Sequence, residues 1–309
     1  AMRVAITGAG GFIGRALVET LLQEGIHDVV AVDTVVAPCP TLADTNWLVG
    51  DISDSGFVAH IFTQPCDALV HLATVPGGAA EESRALAQRV NLDATLALLE
   101  AIRTKHAPPR VVFASSIAVY GDQADTVVND ETPSAPRMVY GAQKAMAETW
   151  ISTLTRRGEI DGLSLRLPGI VARPRASSGM KSAFMSNLFH AAKAGEAFTS
   201  PVSPEATMWL RSRSRAVQNF HHALTCEGAG LPTCEVLTLP NIRISMQELG
   251  AAVARQADCP GDFVHFAPDE ALEAAFGRQP AHALRRAVEL GFGDDGSLDQ
   301  LVANALSCI

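Results

Sequence analysis

Tyr140 and Lys144 stand four residues apart in Tyr140-Gly141-Ala142-Gln143-Lys144, a spacing that puts both side chains on one face of a helix. An ammonium beside a phenol favours the phenolate and lowers the phenol's pKa. Such a tyrosine can take a proton from an alcohol while the carbinol carbon gives hydride to a nicotinamide ring. Upstream, Phe113-Ala114-Ser115-Ser116-Ile117-Ala118-Val119-Tyr120-Gly121 reads as the end of a strand, where a serine hydroxyl can hydrogen-bond the reacting oxygen. Tyrosine and lysine at this spacing are common on ordinary helices. The chain holds only two tyrosines, however, one in this pair and one at the exit of the serine strand.

A second set of residues could hold the hydride acceptor. Val4-Ala5-Ile6 runs into Thr7-Gly8-Ala9-Gly10-Gly11-Phe12-Ile13-Gly14, which reads as strand, tight glycine turn, helix. A turn of this kind turns backbone N–H groups and a helix N-terminus toward a pyrophosphate. In this reading Gly8 makes the turn, Gly11 admits the phosphates, and Gly14 lets the helix pack close to the sheet. Phe12 and Ile13 open that helix. Asp33 ends the next apolar run, at the distance expected of a carboxylate that accepts from the adenosine ribose hydroxyls. It would repel a 2′-phosphate, and Thr34-Val35-Val36-Ala37 supplies no arginine to hold one, so NAD is expected rather than NADP. Asp51-Ile52 follows Trp47-Leu48-Val49 and is a candidate for the adenine edge, with a turn or cap aspartate as the alternative.

The elements that must position these residues alternate. Apolar runs at Val29–Val32, Ala68–Leu72 and Val111–Ala114 are separated by helical periodicity, as in Ala94–Ile102. Continuous apolar strands between amphipathic helices predict a parallel sheet covered on both faces, a doubly wound Rossmann α/β fold. After about residue 168 the rhythm breaks. Loops are expected at Arg173–Gly179 and Pro201–Pro204. Helices are expected over Phe184–Lys193, Ser214–Leu224, Met246–Gln256 and Asp269–Phe276, with a strand over Val236–Leu239. The expected division is a dinucleotide-binding domain over 1–168 and a smaller α/β cap over 169–309, some segments of which return to the first domain.

Composition narrows the class. A formal net charge of −9 argues against a nucleic-acid binder, which needs a basic stripe. No stretch is apolar for long enough to cross a membrane. The six cysteines (Cys39, Cys66, Cys226, Cys234, Cys259 and Cys308) form no CxxC, and the first strand begins at residue 3, leaving no room for a leader, so a reducing, cytoplasmic setting is expected. His221 and His222 are adjacent, point to different helix faces and make a poor metal pair; no metal is expected. His71 reads as a hydrogen-bonded strand histidine. Glu81-Glu82 and Arg156-Arg157 read as solvated faces.

Taken together, TGAGGFIG, Asp33, HLA at 71–73, SSIAVYG at 115–121 and YGAQK at 140–144 resemble the extended short-chain dehydrogenase/reductase superfamily, the NAD-dependent epimerase/dehydratase family. By position the resemblance implies Ser116 as the catalytic serine, with Ser115 its competitor, Tyr140 as base and Lys144 as its partner. It implies Leu72 and Ala73 beside the riboses, Asn91 in the following helix, and Pro168 near the nicotinamide amide. Members often dimerise through the YxxxK helix and its neighbour, here Leu92–Ile102, so a homodimer is expected. A narrower resemblance, in HLATVPGGA at 71–79 and PVSPEATMW at 201–209, is to the D-erythronate dehydrogenase subfamily. It implies NAD-dependent oxidation of the C2 hydroxyl of a small sugar acid. It departs after Arg173-Pro174, where Arg175-Ala176-Ser177 follows directly.

A sugar-acid carboxylate suits the planar fork of arginine. Arg173, Arg175, Arg211 and Arg213 are candidates, with Arg173 preferred for its closeness to the strand bearing Pro168 and Arg211 second. Thr74, Gly77 and Gly78 could donate from the loop after the fourth strand. Trp209 packs either on the substrate or in the cap core. Two other functions compete. A nucleotide-sugar epimerase would use the same three residues but retain the cofactor. A dinucleotide-sensing regulator would commonly lack the tyrosine or lysine, and both are present.

Overall fold

The computed structural model describes residues 2–26, 28–36, 45–103, 107–123, 125–175, 181–226 and 236–309. The chain runs β1 (Arg3–Thr7), α1 (Phe12–Gln23), β2 (Asp28–Asp33), β3 (Asn46–Val49), α2 (Ser55–Ile61) and β4 (Ala68–His71). Next come α3 (Gly77–Glu82), α4 (Arg84–Ala87), a π-helical turn (Gln88–Asp93), α5 (Ala94–Ile102), β5 (Arg110–Ser116) and a 3-10 turn (Ile117–Tyr120). Then β6 (Val128–Asn129), α6 (Val139–Arg156), β7 (Asp161–Leu167), β8 (Gly169–Val171), α7 (Phe184–Ala194) and β9 (Phe198–Ser200) follow. The remainder is β10 (Thr207–Ser212), α8 (Arg213–Thr225), β11 (Val236–Thr238), β12 (Ile242–Ser245), α9 (Met246–Ala257), β13 (Val264–Phe266), α10 (Glu270–Phe276), β14 (His282–Ala283), α11 (Arg286–Glu289) and α12 (Leu298–Ser307).

Two compact units divide this chain. The first takes residues up to Asp122, then Pro133–Leu167 and Val217–Thr238. It is built on a seven-stranded sheet in the order β11-β7-β5-β4-β1-β2-β3, every neighbouring pair parallel. Val4, Ala5 and Ile6 of β1 have no exposed surface, as a strand covered on both faces requires. Helix α1 buries Ile13, Leu17, Val18 and Leu21, one stripe at helical spacing. The sheet is the doubly wound Rossmann arrangement. Its strand order reverses between β1 and β4, and ligands of such sheets bind outside the carboxyl ends of the strands at that reversal. The strand expected over Val236–Leu239 forms as β11 and pairs with β7.

The second unit takes Gln123–Thr132, Pro168–Ala216 and Leu239–Ile309. A three-stranded sheet, β12-β10-β8, has β10 antiparallel to β12 and parallel to β8. Its core joins Leu188 and Phe189 of α7 with Met208 and Leu210 of β10, Leu249 and Val253 of α9, and Leu301 and Val302 of α12. Ser245 caps α9 by accepting from the Glu248 amide, and Ser297 caps α12 by accepting from that of Gln300. Part of the Arg173–Gly179 loop, residues 176–179, lies outside the described residues, as do Ala37, Cys39 and Cys234. Among the described residues, no helix is long and apolar enough to cross a membrane.

Candidate active site

The glycine turn joins β1 to α1 at the strand-order reversal. Gly8 has φ +65°, and a Cβ there would lie 2.9 Å from the Ala73 nitrogen just past β4. A Cβ on Gly14 would come within 2.1 Å of the Gly8 carbonyl oxygen, so α1 seats this close only on glycine. Gly11, at the N-cap, offers no side chain to the first turn of α1, and no acidic residue lies in that turn. The result is a helix N-terminus over a cradle that ordinary side chains would fill, which fits the pyrophosphate of a dinucleotide. Phe12 and Ile13 open α1, Ile13 facing the core. Asp33, at the end of β2, fixes the turn: its Oδ2 accepts from the Gly10 amide at 2.8 Å and its Oδ1 from the Thr34 amide at 2.7 Å. Asp51 occupies a turn of its own. Its Oδ1 accepts from the Ser53 amide (2.9 Å) and hydroxyl (2.8 Å), and these bonds hold the carboxyl below its ordinary pKa. Ile52 packs inward with Val30 and Val58.

A directed chain of hydrogen bonds ties β1, β4 and the helix after β4. Thr95 Oγ1 donates to the Asn91 carbonyl at 2.9 Å, so it accepts from His71 Nε2 at 2.8 Å. His71 therefore carries its proton on Nε2, and Nδ1 accepts from Thr7 Oγ1 at 2.6 Å. Thr7 in turn accepts from the amides of Leu72 (3.0 Å) and Ala73 (3.2 Å). Burial first, and then the Lys144 charge, lower the His71 pKa to about 3, consistent with this neutral tautomer.

Asn91 sits buried within the π-helical turn, a feature frequent at functional sites. Its carboxamide holds the loop after β4. Oδ1 accepts from the Val75 amide (2.7 Å) and the Thr74 hydroxyl (3.1 Å), while Nδ2 donates to the Val75 carbonyl (3.0 Å) and to Gln143 Oε1 (3.1 Å). Gln143 lies on α6, one residue before Lys144. Gly77 opens α3, and a Cβ there would lie 3.9 Å from Tyr140 Cβ. Thr74 and Gly78 are exposed.

Helix α6 carries Tyr140 half-buried and Lys144 almost wholly buried. The ammonium donates to the Ala114 carbonyl at 2.8 Å and stands 4.8 Å from the centre of the Phe113 ring and 5.4 Å from that of Tyr140. Burial pulls the Lys144 pKa down to about 7, against the opposing pull of Glu148. The two serines of β5 face opposite sides, as strand geometry demands. Ser116 is half-buried at the carboxyl end of the strand, its Oγ accepting from the Ala118 amide at 3.0 Å. Ser115 is buried and donates to Glu148 Oε2 at 2.5 Å. The second tyrosine, Tyr120, is buried; it accepts from Arg166 Nη1 at 3.0 Å and bonds Thr238 Oγ1 at 2.5 Å.

Two features of this unit lie beyond what spacing conveys. Glu81 is exposed, as expected of a solvated face, and its Oε1 also accepts from the Val139 amide at 2.7 Å and caps α6. Glu148 and Arg166 form a paired-bond ion pair, Nε to Oε2 at 2.9 Å and Nη2 to Oε1 at 2.8 Å. Burial alone would lower the Arg166 pKa, but Glu148 holds it above its ordinary value.

The remaining candidates belong to the second unit. Pro168, which opens this unit's Pro168–Ala216 segment, is buried and directly follows β7. Arg173 is half-buried; its backbone amide donates to Ser186 Oγ at 2.9 Å and its carbonyl accepts from His190 at 2.7 Å. Arg175 is exposed and pairs with Glu196 at 3.2 Å. Trp209 and Arg211 are both buried inside this unit, Trp209 taking the core alternative. Trp209 donates its indole N–H to the Pro280 carbonyl at 2.8 Å and meets the His282 ring edge-on. Arg211 has no exposed surface and donates to the carbonyls of Pro240 and Gly293.

Comparison with known proteins matches residues 4–225 to the family model described as NAD dependent epimerase/dehydratase family. The chain is 36% identical to a D-erythronate dehydrogenase of Cupriavidus necator, over 97% of each chain. It is 30% identical to a D-erythronate dehydrogenase of Haemophilus influenzae, over 97% of this chain and 98% of that one. Among solved structures, a nucleoside-diphosphate-sugar epimerase from Agrobacterium tumefaciens superimposes with a TM-score of 0.89 at 29% identity, covering 98% of this chain and 92% of the other.

Proposed function

Since the chain belongs to the NAD-dependent epimerase/dehydratase family, we propose that it is a dehydrogenase that oxidises the C2 hydroxyl of a small sugar acid, D-erythronate or a related aldonate, to the 2-oxo acid. The observation that carries this reading is the Lys144 ammonium, buried against the Tyr140 ring and pinned to the carbonyl just before the two serines of β5. An ammonium held there favours the phenolate. Tyr140 takes the hydroxyl proton, and Ser116 hydrogen-bonds the same oxygen while its C–O bond becomes a carbonyl. When bound, NAD supplies the hydride acceptor. Gly8, Gly11, Gly14 and the first turn of α1 with Phe12 and Ile13 would cradle its pyrophosphate. Asp33 would accept from the ribose hydroxyls and disfavour a 2′-phosphate, which makes NAD the cofactor. Asp51 and Ile52 are assigned to the adenine side, and Leu72, Ala73, Asn91 and Pro168 to the riboses and nicotinamide. Thr74 and Gly77 are kept as donors to substrate. Arg173 is kept for the carboxylate on residue type, and Trp209 and Arg211 are not retained.

Incubation with NAD and a panel of four- to six-carbon aldonates tests the proposal. NADH is expected to accumulate, fastest with a four-carbon acid; a silent panel overturns it. The Tyr140→Phe variant is expected to lose turnover by about 10²–10⁴-fold while binding NAD within a few-fold of the parent. The Agrobacterium match favours one second reading, a nucleotide-sugar epimerase. Net release of NADH separates the two, because an epimerase returns the hydride to its substrate.

A further inference from the structure

We propose that Glu148 is a positioning residue for the reaction: its carboxylate, fixed by Ser115 and Arg166 one helical turn beyond Lys144, keeps the Lys144 ammonium charged beside Tyr140. This rests on the roles of Tyr140 and Lys144 proposed above. Tyr140, Lys144 and Glu148 follow one another at four-residue intervals on α6, so the three share a stripe. Lys144 and Glu148 are 3% and 4% exposed, and water screens neither. Three donors converge on the two carboxylate oxygens: the Ser115 hydroxyl at 2.5 Å, and Arg166 Nε at 2.9 Å and Nη2 at 2.8 Å. That donor set suits an acceptor-only anion and locks its rotamer.

The groups around Lys144 leave Glu148 as the residue that opposes loss of its proton. From β4 comes His71, held as the neutral tautomer by its bonds to Thr7 and Thr95. From β5 come the Phe113 ring and the Ala114 carbonyl, and from α6 the Tyr140 ring. Arg166 from β7 and Tyr120 from the 3-10 turn meet each other, and Arg166 meets Glu148. Burial works to strip the Lys144 proton, and Glu148 is the charge that works to keep it. A buried ammonium with no such neighbour would enter the neutral form at lower pH, and Tyr140 would lose its electrostatic support.

The test is a titration of Lys144 in the protein without substrate. The chain has four lysines, Lys105, Lys144, Lys181 and Lys193, so 13C-labelled lysine side chains can be assigned by NMR with one lysine replaced at a time. Glu148→Gln is expected to lower the Lys144 midpoint by on the order of one pH unit. Glu148→Asp, which keeps the charge, is expected to restore most of the shift. If the single variant strands Arg166 and fails to fold, the double variant E148M/R166M replaces the pair with apolar volume; it is read against Arg166→Met alone, below whose midpoint it is expected to fall. In kinetics, the alkaline limb of the kcat profile is expected to move to lower pH in step with the midpoint. An unchanged midpoint in these variants overturns the proposal. So does a raised one, which is what simple loosening of the core and entry of water would produce. The titration requires no turnover. A lowered midpoint beside a silent substrate panel would defeat the dehydrogenase reading and leave the charge-setting role of Glu148 standing; the converse pair of results would defeat the role alone.

Discussion

Lys144 gives up an ammonium's hydration for one carbonyl and two aromatic faces, and folding carries that cost. Its folded pKa of about 7 lies below the unfolded value, so between those two values the unfolded chain binds more protons and stability rises with pH. Lys144→Met removes this dependence. The stability of the parent relative to Lys144→Met is therefore expected to increase from pH 7 to pH 9, read by thermal unfolding at each pH; a constant difference would contradict the burial argument. At this scale the sequence was legible where spacing alone conveys geometry. The interval from Tyr140 to Lys144 specifies a shared helix face, and adjacent Ser115 and Ser116 must diverge on a strand, though nothing in their order says which one faces Glu148. The partnership of Glu148 with Arg166 spans 18 residues between a helix and a strand, and only the packing of α6 on β7 creates it. The contacts of Trp209 and Arg211 were not legible for a related reason: an aromatic and a cation on a short strand look the same whatever they meet.

Glu81 shows how one element steadies another. Its carboxylate satisfies the first amide of α6, a place where a negative charge also complements the helix dipole. Glu81→Ala is expected to cost about 1 kcal/mol and to speed hydrogen exchange over the first turn of α6, around Val139 to Gln143. Unchanged exchange there would show that the cap contributes nothing. At the opposite side of the sheet, Gly14→Ala would drive a methyl into the Gly8 carbonyl, backbone against backbone, with no flexible atom to yield. A loss of at least about 3 kcal/mol is expected in denaturant unfolding, together with loss of NAD binding. Long, strongly periodic elements were legible in the sequence: Ala94–Ile102 forms α5 with those bounds, and Phe184–Lys193 and Met246–Gln256 form α7 and α9 with one residue added to each. Some short strands were not. Asn46–Val49 and Thr207–Ser212 take their extended form from pairing with β2 and with β8 and β12, which local pattern does not encode. The π-helical turn around Asn91 is invisible for the same reason, since 88–93 carries an ordinary helical pattern.

Both units are discontinuous in the chain. One edge strand of the seven-stranded sheet, β11, arrives only after the whole of the second unit's Pro168–Ala216 segment. Within the first unit Arg110 reaches the end of α8, donating to the carbonyls of Ala223 (2.8 Å) and Cys226 (3.1 Å). A break in rhythm near residue 168 was legible, because alternation of strand and helix stops there. The strand over Val236–Leu239 was legible as well, but its pairing with β7 was not, because an apolar run does not name its neighbour in a sheet. A fragment of residues 1–168 keeps the glycine turn, Tyr140 and Lys144 but bares the β7 edge. It is expected to aggregate where the whole chain remains in solution, measured by size-exclusion chromatography. A monodisperse fragment with the parent's melting temperature would refute this. The placement of β11 also bears on biosynthesis. A ribosome releases Tyr140, Lys144 and the glycine turn well before it releases Val236–Thr238, so the nascent sheet waits with an open hydrogen-bonding margin while the intervening residues are translated. The yield of folded chain is therefore expected to depend on the tempo of translation between β7 and β11.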